Sequence, residues 1–250
     1  MKNYGKMREV SGFTLLEVLI TLAISGILMT SVYAAFQAQQ DSYLAQEQVA
    51  EMQQNIRVAV RMLTKDIRMA GFDPAETDNF GFVDNLTNQQ FDNGAGVVTA
   101  VSTTATQVSF YGDLDGDGNI DRTAEDINGD GNIDMSEMEQ VSYQLNGTDF
   151  QRYSTTAGIF VWPIIAEQIQ QIEFIYLDES NNPVGPTTNL NAGDISSVQI
   201  SILARAGNPD QKFNNTQTYT TASGVVWGPF NDNFRRRFEV ATVKCRNMGI

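Results

Sequence analysis

The sequence predicts an α+β protein, with one long N-terminal α-helix packed on an antiparallel β-sheet head. Three observations carry that prediction. An apolar run from Phe13 to Phe36 continues without a break into an amphipathic stripe that ends near Ala70. After Gly71 the pattern changes to short, alternating runs separated by turn residues. Between those runs there is no helical pattern, so neighbouring strands return by turns rather than by crossovers.

The helix is the clearest element. Phe13–Phe36 reads FTLLEVLITLAISGILMTSVYAAF, with Glu17 its only charge. As an α-helix this run rises about 36 Å, enough to cross a hydrocarbon core of about 30 Å. Lys2, Lys6 and Arg8 precede it, against the single acid Glu9. Such a basic flank keeps residues 1–12 cytoplasmic and exports the chain beyond Phe36. Past that point, apolar residues recur at Ala45, Val49, Met52, Ile56, Val60, Leu63, Ile67 and Ala70, always three or four apart. That is one stripe of an amphipathic helix, interrupted by neither proline nor glycine until Gly71 and Pro74 supply the stop. A continuous helix over 13–70 would be about 87 Å long. Arg57, Arg61, Lys65 and Arg68 also fall at helical spacing and read as a solvated face or a contact with acidic neighbours.

A secretory signal peptide is the plainer reading of the apolar run, and Val32-Tyr33-Ala34 offers a small-residue cleavage site. Two features oppose it. The helical pattern does not end where a signal peptide would, and Glu17 costs about 2.5–3.5 kcal/mol on the scale for an acid at mid-bilayer. A carboxylate kept at that cost calls for a compensating charge.

Gly12-Phe13-Thr14-Leu15-Leu16-Glu17 resembles the prepilin cleavage and methylation motif of type IV pilins and type II secretion pseudopilins. The resemblance implies a leader, residues 1–12, removed after Gly12 by a prepilin peptidase that also methylates the new N-terminal Phe13. It implies that Glu17 meets the terminal amine of a neighbouring subunit during assembly. Leu63–Phe72 and Arg235–Asn247 are similar to the helix end and final strand of PilW-type minor pilins. On this reading residues 13–36 are the transmembrane half of the helix, 37–70 its amphipathic half, and 71–250 a β-rich head. The partners implied are other pilins and the prepilin peptidase/methyltransferase. The location implied is the inner membrane before assembly, then the pilus at the cell surface.

In the head, the candidate strands are Val97–Val101, Gln107–Tyr111, Gln140–Leu145, Ile159–Ile164, Ile169–Leu177, Ser196–Ala204, Gln217–Thr221 and Phe234–Lys244. Asn181-Asn182-Pro183, Gly185-Pro186, Gly207-Asn208-Pro209 and Gly228-Pro229 provide the turns. The stripe of the helix is expected to close one face of the sheet. Trp162 and Trp227 read as core or loop-anchoring aromatics, or as a ligand surface, and Cys245 as a buried strand residue.

The composition narrows the function. The 250 residues include no histidine, one cysteine, and thirty acidic against sixteen basic residues, for a net charge of −14. No Ser-His-Asp triad, histidine-ligated zinc or intrachain disulfide can be built from these, and so acidic a chain is no partner for nucleic acid. An enzyme reading would rest on a carboxylate pair alone, so no catalytic residue is assigned.

Most of the acidity is local. Residues 113–139 hold ten carboxylates and one base, Arg122, a net −9. Within this window Asp126–Glu137 matches the calcium loop D-x-[DN]-x-[DN]-G-x5-E at every required position. Calcium takes six to eight oxygens. Asp126, Asn128 and Asp130 would supply side-chain oxygens, Asn132 its carbonyl, Asp134 a direct or water-mediated contact, and Glu137 the bidentate closure. Gly131 permits the sharp turn. Asp113, Asp115, Asp117, Asn119 and Asp121 repeat the opening, but the twelfth position is Ala124, so that loop needs Glu125 or Asp126 to close it. A shared Asp126 would interlock the two, similar to thrombospondin type 3 repeats; isolated loops of this kind also resemble those of dockerins. Strand-like flanks place the pair at a hairpin tip rather than between helices. Without metal, like-charge repulsion would hold the window open.

Two classes of function remain. One is a structural subunit, a minor pilin or a pseudopilin, whose helix joins a filament and whose head is calcium-stabilised. The other is a secreted calcium-dependent adhesin or glycan-binding module, released by signal peptidase near Ala35.

Overall fold

The computed structural model describes residues 12–72, 81–82, 90–92, 97–99, 106–113, 140–154, 162–184 and 195–247. Helix α1 spans Leu15–Met69 without interruption. The chain divides into two compact units, Met1–Glu47 and Gln48–Ile250, so α1 contributes its first part to one and its last part to the other.

The described part of the first unit is helical from Leu15 on and apolar as far as Phe36. It contains an 18-residue window of mean hydropathy 2.1, none of it buried. The hydroxyls inside it are satisfied without leaving the helix: Thr21 Oγ1 donates to the Val18 carbonyl at 2.9 Å, and Thr30 Oγ1 and Ser31 Oγ both donate to Ile27. Such back-bonding is what a polar side chain needs where no water is at hand.

The second unit is antiparallel throughout its described pairings. A five-stranded sheet runs β1 (Gly81–Phe82), β4 (Gln107–Tyr111), β5 (Gln140–Asn146), β6 (Asp149–Ser154), β7 (Ile164–Ala166). A four-stranded sheet runs β13 (Arg236–Lys244), β10 (Ser197–Arg205), β8 (Ile169–Leu177), β9 (Pro183–Val184). Two small hairpins pair β2 (Gln90–Asp92) with β3 (Val97–Thr99) and β11 (Tyr219–Thr220) with β12 (Val226–Trp227).

One core joins the helix and both large sheets. Met52, Ile56, Ala59, Leu63, Ile67 and Ala70 of the helical segment pack in the same cluster as Phe110, Val141, Phe150, Phe174, Ile200 and Ile202. The expected stripe is therefore the buried face from Met52 on, while Ala45 and Val49 before it are only half-buried. Val60 stays half-buried while its neighbour Ala59 is fully covered, because a small residue lets the helix approach the sheet. Phe82 wedges edge-on against Phe110 and Tyr176 at 5.9 and 5.5 Å, and the Tyr176 hydroxyl donates to the Gln107 carbonyl at 3.2 Å, linking the two sheets.

The end of α1 is fixed to the sheet. Gly71 takes the left-handed conformation (φ 73°) that ends many helices, and its N–H donates to the Tyr111 carbonyl at 3.1 Å. The Asp113 N–H then donates to the Phe72 carbonyl at 3.0 Å.

Ile169–Leu177 forms as its alternation predicts and Gln107–Tyr111 with the expected bounds, whereas two expectations shift. The strand expected at Ile159–Ile164 is seen as Ile164–Ala166, with 155–161 outside the described residues. Gln217–Thr221 narrows to two residues, because the segment around it is held by side chains rather than by a ladder. Strand β6 has no counterpart among the expected strands, although Asn146-Gly147 is a hairpin turn and Gly147 has φ 64°.

Candidate functional site

Gly12 is open to its surroundings, and Phe13 beside it is 86% exposed. Two residues on, α1 begins with a capping box. The Thr14 N–H and hydroxyl both donate to Glu17 Oε2, at 2.9 and 3.0 Å, and the Glu17 N–H donates back to Thr14 Oγ1 at 3.3 Å. Helix starts leave their first amide N–H groups without partners, and this exchange satisfies two of them. Glu17 therefore has a local role besides its cost in the membrane, and Thr-Leu-Leu-Glu is the sequence signature of such a cap. Both bonds use Oε2. Among the described residues Oε1 has no hydrogen-bond donor.

Of the acidic window, the described part is its first residue. Asp113 is buried at 3% exposure at the exit of β4. Asp115, Asp117, Asn119, Asp121, Asp126, Asn128, Asp130, Asn132, Asp134 and Glu137 lie outside the described residues, so the calcium ligands can be placed only by topology. Strands β4 and β5 pair with Tyr111 opposite Gln140, so the window connects two adjacent strand ends. Among the described residues no group of three or more His, Cys, Asp or Glu is arranged to hold a metal ion.

The structure brings together a buried polar cluster that no sequence motif marks. Tyr143 on β5 and Arg152 on β6 are direct cross-strand partners, so their side chains share a face. Both reach Asp66 of α1. The Tyr143 hydroxyl donates to Asp66 Oδ2 at 2.6 Å, and Arg152 Nε donates to the same atom at 2.7 Å. Burial, reinforced by the Asp66 carboxylate, pushes the Tyr143 phenol well above its usual pKa. For Arg152 burial works against the charge, and the hydrogen bond and charge of Asp66 overcome it. An acid one turn from a helix C-terminus opposes the helix dipole, and that is the one local sign that Asp66 needs such a partner.

Two of the three consecutive arginines have a structural task. Arg235 pairs with Asp210 at 2.8 Å and stacks over Phe213; Arg236 pairs with Asp232 at 2.6 Å and stacks over Phe230. They hold the segment between β10 and β13 to the sheet. Trp227 meets Phe238 edge-on at 5.9 Å, and Trp162 lies 5.2 Å from Tyr153, so both tryptophans act as anchoring aromatics. Cys245 is buried just past β13, where loss of solvent pushes its thiol up to about 12.

The comparisons with known proteins bear on the N-terminus first. The family described as the prokaryotic N-terminal methylation motif matches residues 7–33. Among solved structures, a type IV-like pilin from Thermus thermophilus is similar, at 13% identity and a TM-score of 0.43, over 79% of this chain and 98% of that one. No curated protein matches the sequence.

Proposed function

We propose that this chain is a subunit of the type IV pilin class, a minor pilin most like the PilW type, which assembles through α1 and displays the head. The observation that carries the proposal is the methylation motif over 7–33, which runs on into the first part of a helix whose most apolar window is wholly unburied. Leu19, Ile27, Leu28, Met29 and Val32 are each at least half exposed. At about 25 cal/mol per Å² such surface must be covered, by lipid before assembly and by neighbouring helices after it.

The geometry at Glu17 fits that role. After cleavage following Gly12, Phe13 carries an ammonium group. Glu17 can keep its own cap through Oε2 and offer Oε1 to the ammonium of the next subunit. The charge pair then offsets the cost of burying either group alone. The calcium loops belong to the same proposal: Asp126–Glu137 holds one ion, Asp113–Asp121 a second, and the ions neutralise much of the local −9.

Mass spectrometry of the protein purified from its membrane tests the assignment. The expected mature terminus is N-methylated Phe13. A terminus near Ala35 would instead identify a secreted module and sink the pilin reading. Co-purification with other pilins, rather than with secretion components, separates pilus from pseudopilus.

A further inference from the structure

Four cations converge on a cleft of about 610 Å³ at the C-terminal end of α1. Arg61, Lys65 and Arg68 are spaced by four and three residues, so they share the exposed face of the helix. Arg246 joins them from just beyond β13, and the neighbouring Asn247 side chain, 179 positions from Arg68, donates to the Arg68 carbonyl at 3.4 Å. Met69 and Phe72, each about 40% exposed, give the cleft an apolar floor.

What sets these charges apart is their clustering. Arg152, Arg235 and Arg236 are each paired with a carboxylate, whereas among the described residues the four cleft cations face one cleft with no ion pair between them and an acid. The helix dipole accounts for Lys65 and Arg68, which lie in the last turns, but not for Arg61 or Arg246. A protein of net −14 has a surplus of acids with which to neutralise them.

We propose that this cleft is a docking site for a carboxylate-rich polypeptide segment on a neighbouring subunit. Spacing favours a polypeptide over a single oxyanion. Arg61 and Lys65 are separated along the helix by about 6 Å. Carboxylates two residues apart on an extended chain are separated by about 7 Å, so an acidic strand can meet the cations in sequence. The apolar floor receives the residues between. The window Asp113–Glu139 of a second copy has this character: Asp115 and Asp117, and Glu137 and Glu139, stand two residues apart, with leucine or isoleucine among the ten carboxylates. The same carboxylates are the proposed calcium ligands, so docking by this window and calcium binding would compete, and the probe is used free of calcium.

The test uses full-length protein in detergent, without calcium, and a fluorescent peptide of sequence 113–139 as the probe. Fluorescence anisotropy is expected to show saturable binding that fades as salt rises from about 0.05 to about 0.3 M. The combined variant R61Q/K65Q/R246Q should bind about tenfold more weakly, the result of losing three exposed ion pairs. R57Q, which removes an exposed helix cation outside the cleft, should bind as the parent does, and unchanged melting of both variants checks their folding. No binding by the parent protein, or equal losses in R57Q and the triple variant, would overturn the proposal. So would displacement of the peptide by inorganic phosphate at comparable concentration, which would identify a simple oxyanion site.

Discussion

Replacing Asp66 with alanine is expected to unfasten the helix from the five-stranded sheet. The Asp66 carboxylate accepts two short bonds on one oxygen, from Tyr143 at 2.6 Å and Arg152 at 2.7 Å. Hydrogen bonds to a charged group are worth about 1.5–3 kcal/mol each, and breaking one side of a buried pair costs about 3–5 kcal/mol. The Arg152 side chain keeps 24% of its exposure and can turn to solvent, whereas Tyr143 is fully buried and its hydroxyl would be left without an acceptor. Asp66→Ala should therefore destabilise the Gln48–Ile250 unit by about 3–4 kcal/mol. Tyr143→Phe keeps the ring stacked on Phe150 at 5.6 Å and leaves the Arg152 pair intact, so it should cost only about 1.5 kcal/mol. In the double variant no orphan hydroxyl remains, and the combined cost should fall short of the sum by about 1 kcal/mol or more. Urea unfolding of the detergent-solubilised chain, followed by Trp162 and Trp227 fluorescence, measures all three. A loss below about 1 kcal/mol for Asp66→Ala, or strict additivity in the cycle, would refute the view that this cluster clamps the helix.

Two further outcomes rest on the charges. If Asp126–Glu137 binds calcium with the about 10⁻⁴–10⁻³ M affinity common in extracellular modules, calcium at about 1 mM should raise the melting temperature, with a gain of about 0.4–1.4 kcal/mol. Identical melting curves in EGTA and in calcium, or an unchanged response in Asp130→Ala/Glu137→Ala, would falsify the calcium reading. The bonds from Arg235 to Asp210 and from Arg236 to Asp232 lower both carboxyl pKa values below their ordinary 3.8. A depressed native pKa contributes stability that is present above 3.8 and is lost as pH falls through the native values. Melting temperature should thus drop with acidification below about 3.8, and Asp210→Asn/Asp232→Asn should flatten that dependence.

Elements with strong local periodicity are legible in the chain alone. The stripe from Met52 to Ala70 identifies the buried face of α1 because helical geometry repeats whatever the neighbours are, and Ile169–Leu177 alternates because its sheet has one covered face. Gly71 marks the helix end for an equally local reason, its freedom to take φ 73°. Strand β6 is hard to see in sequence because Phe150 and Tyr153 break a two-residue period, and a bulge at Phe150/Gln151 accommodates them. At the N-terminus the motif is legible, and so in principle is the cap. Its pattern is masked because the same Glu17 stands out as a cost in the membrane before it stands out as a partner for Thr14.

The sequence by itself determined the apolar helix, the methylation motif beside a basic flank, the calcium-loop spacing and the alternation of Ile169–Leu177. Each rests on interactions between residues close in the chain. Only the tertiary structure decided that Asp66, Tyr143 and Arg152 form one buried cluster, that Arg235 and Arg236 hold a distant segment while Arg246 joins Arg61, and that Ala59 rather than Val60 faces the sheet. Those outcomes depend on which strands become neighbours, and the energy of a charge depends on what solvent it loses when they do. No local pattern carries that information, since the same arginine is a solvated surface charge or a fixed partner according to what folds against it.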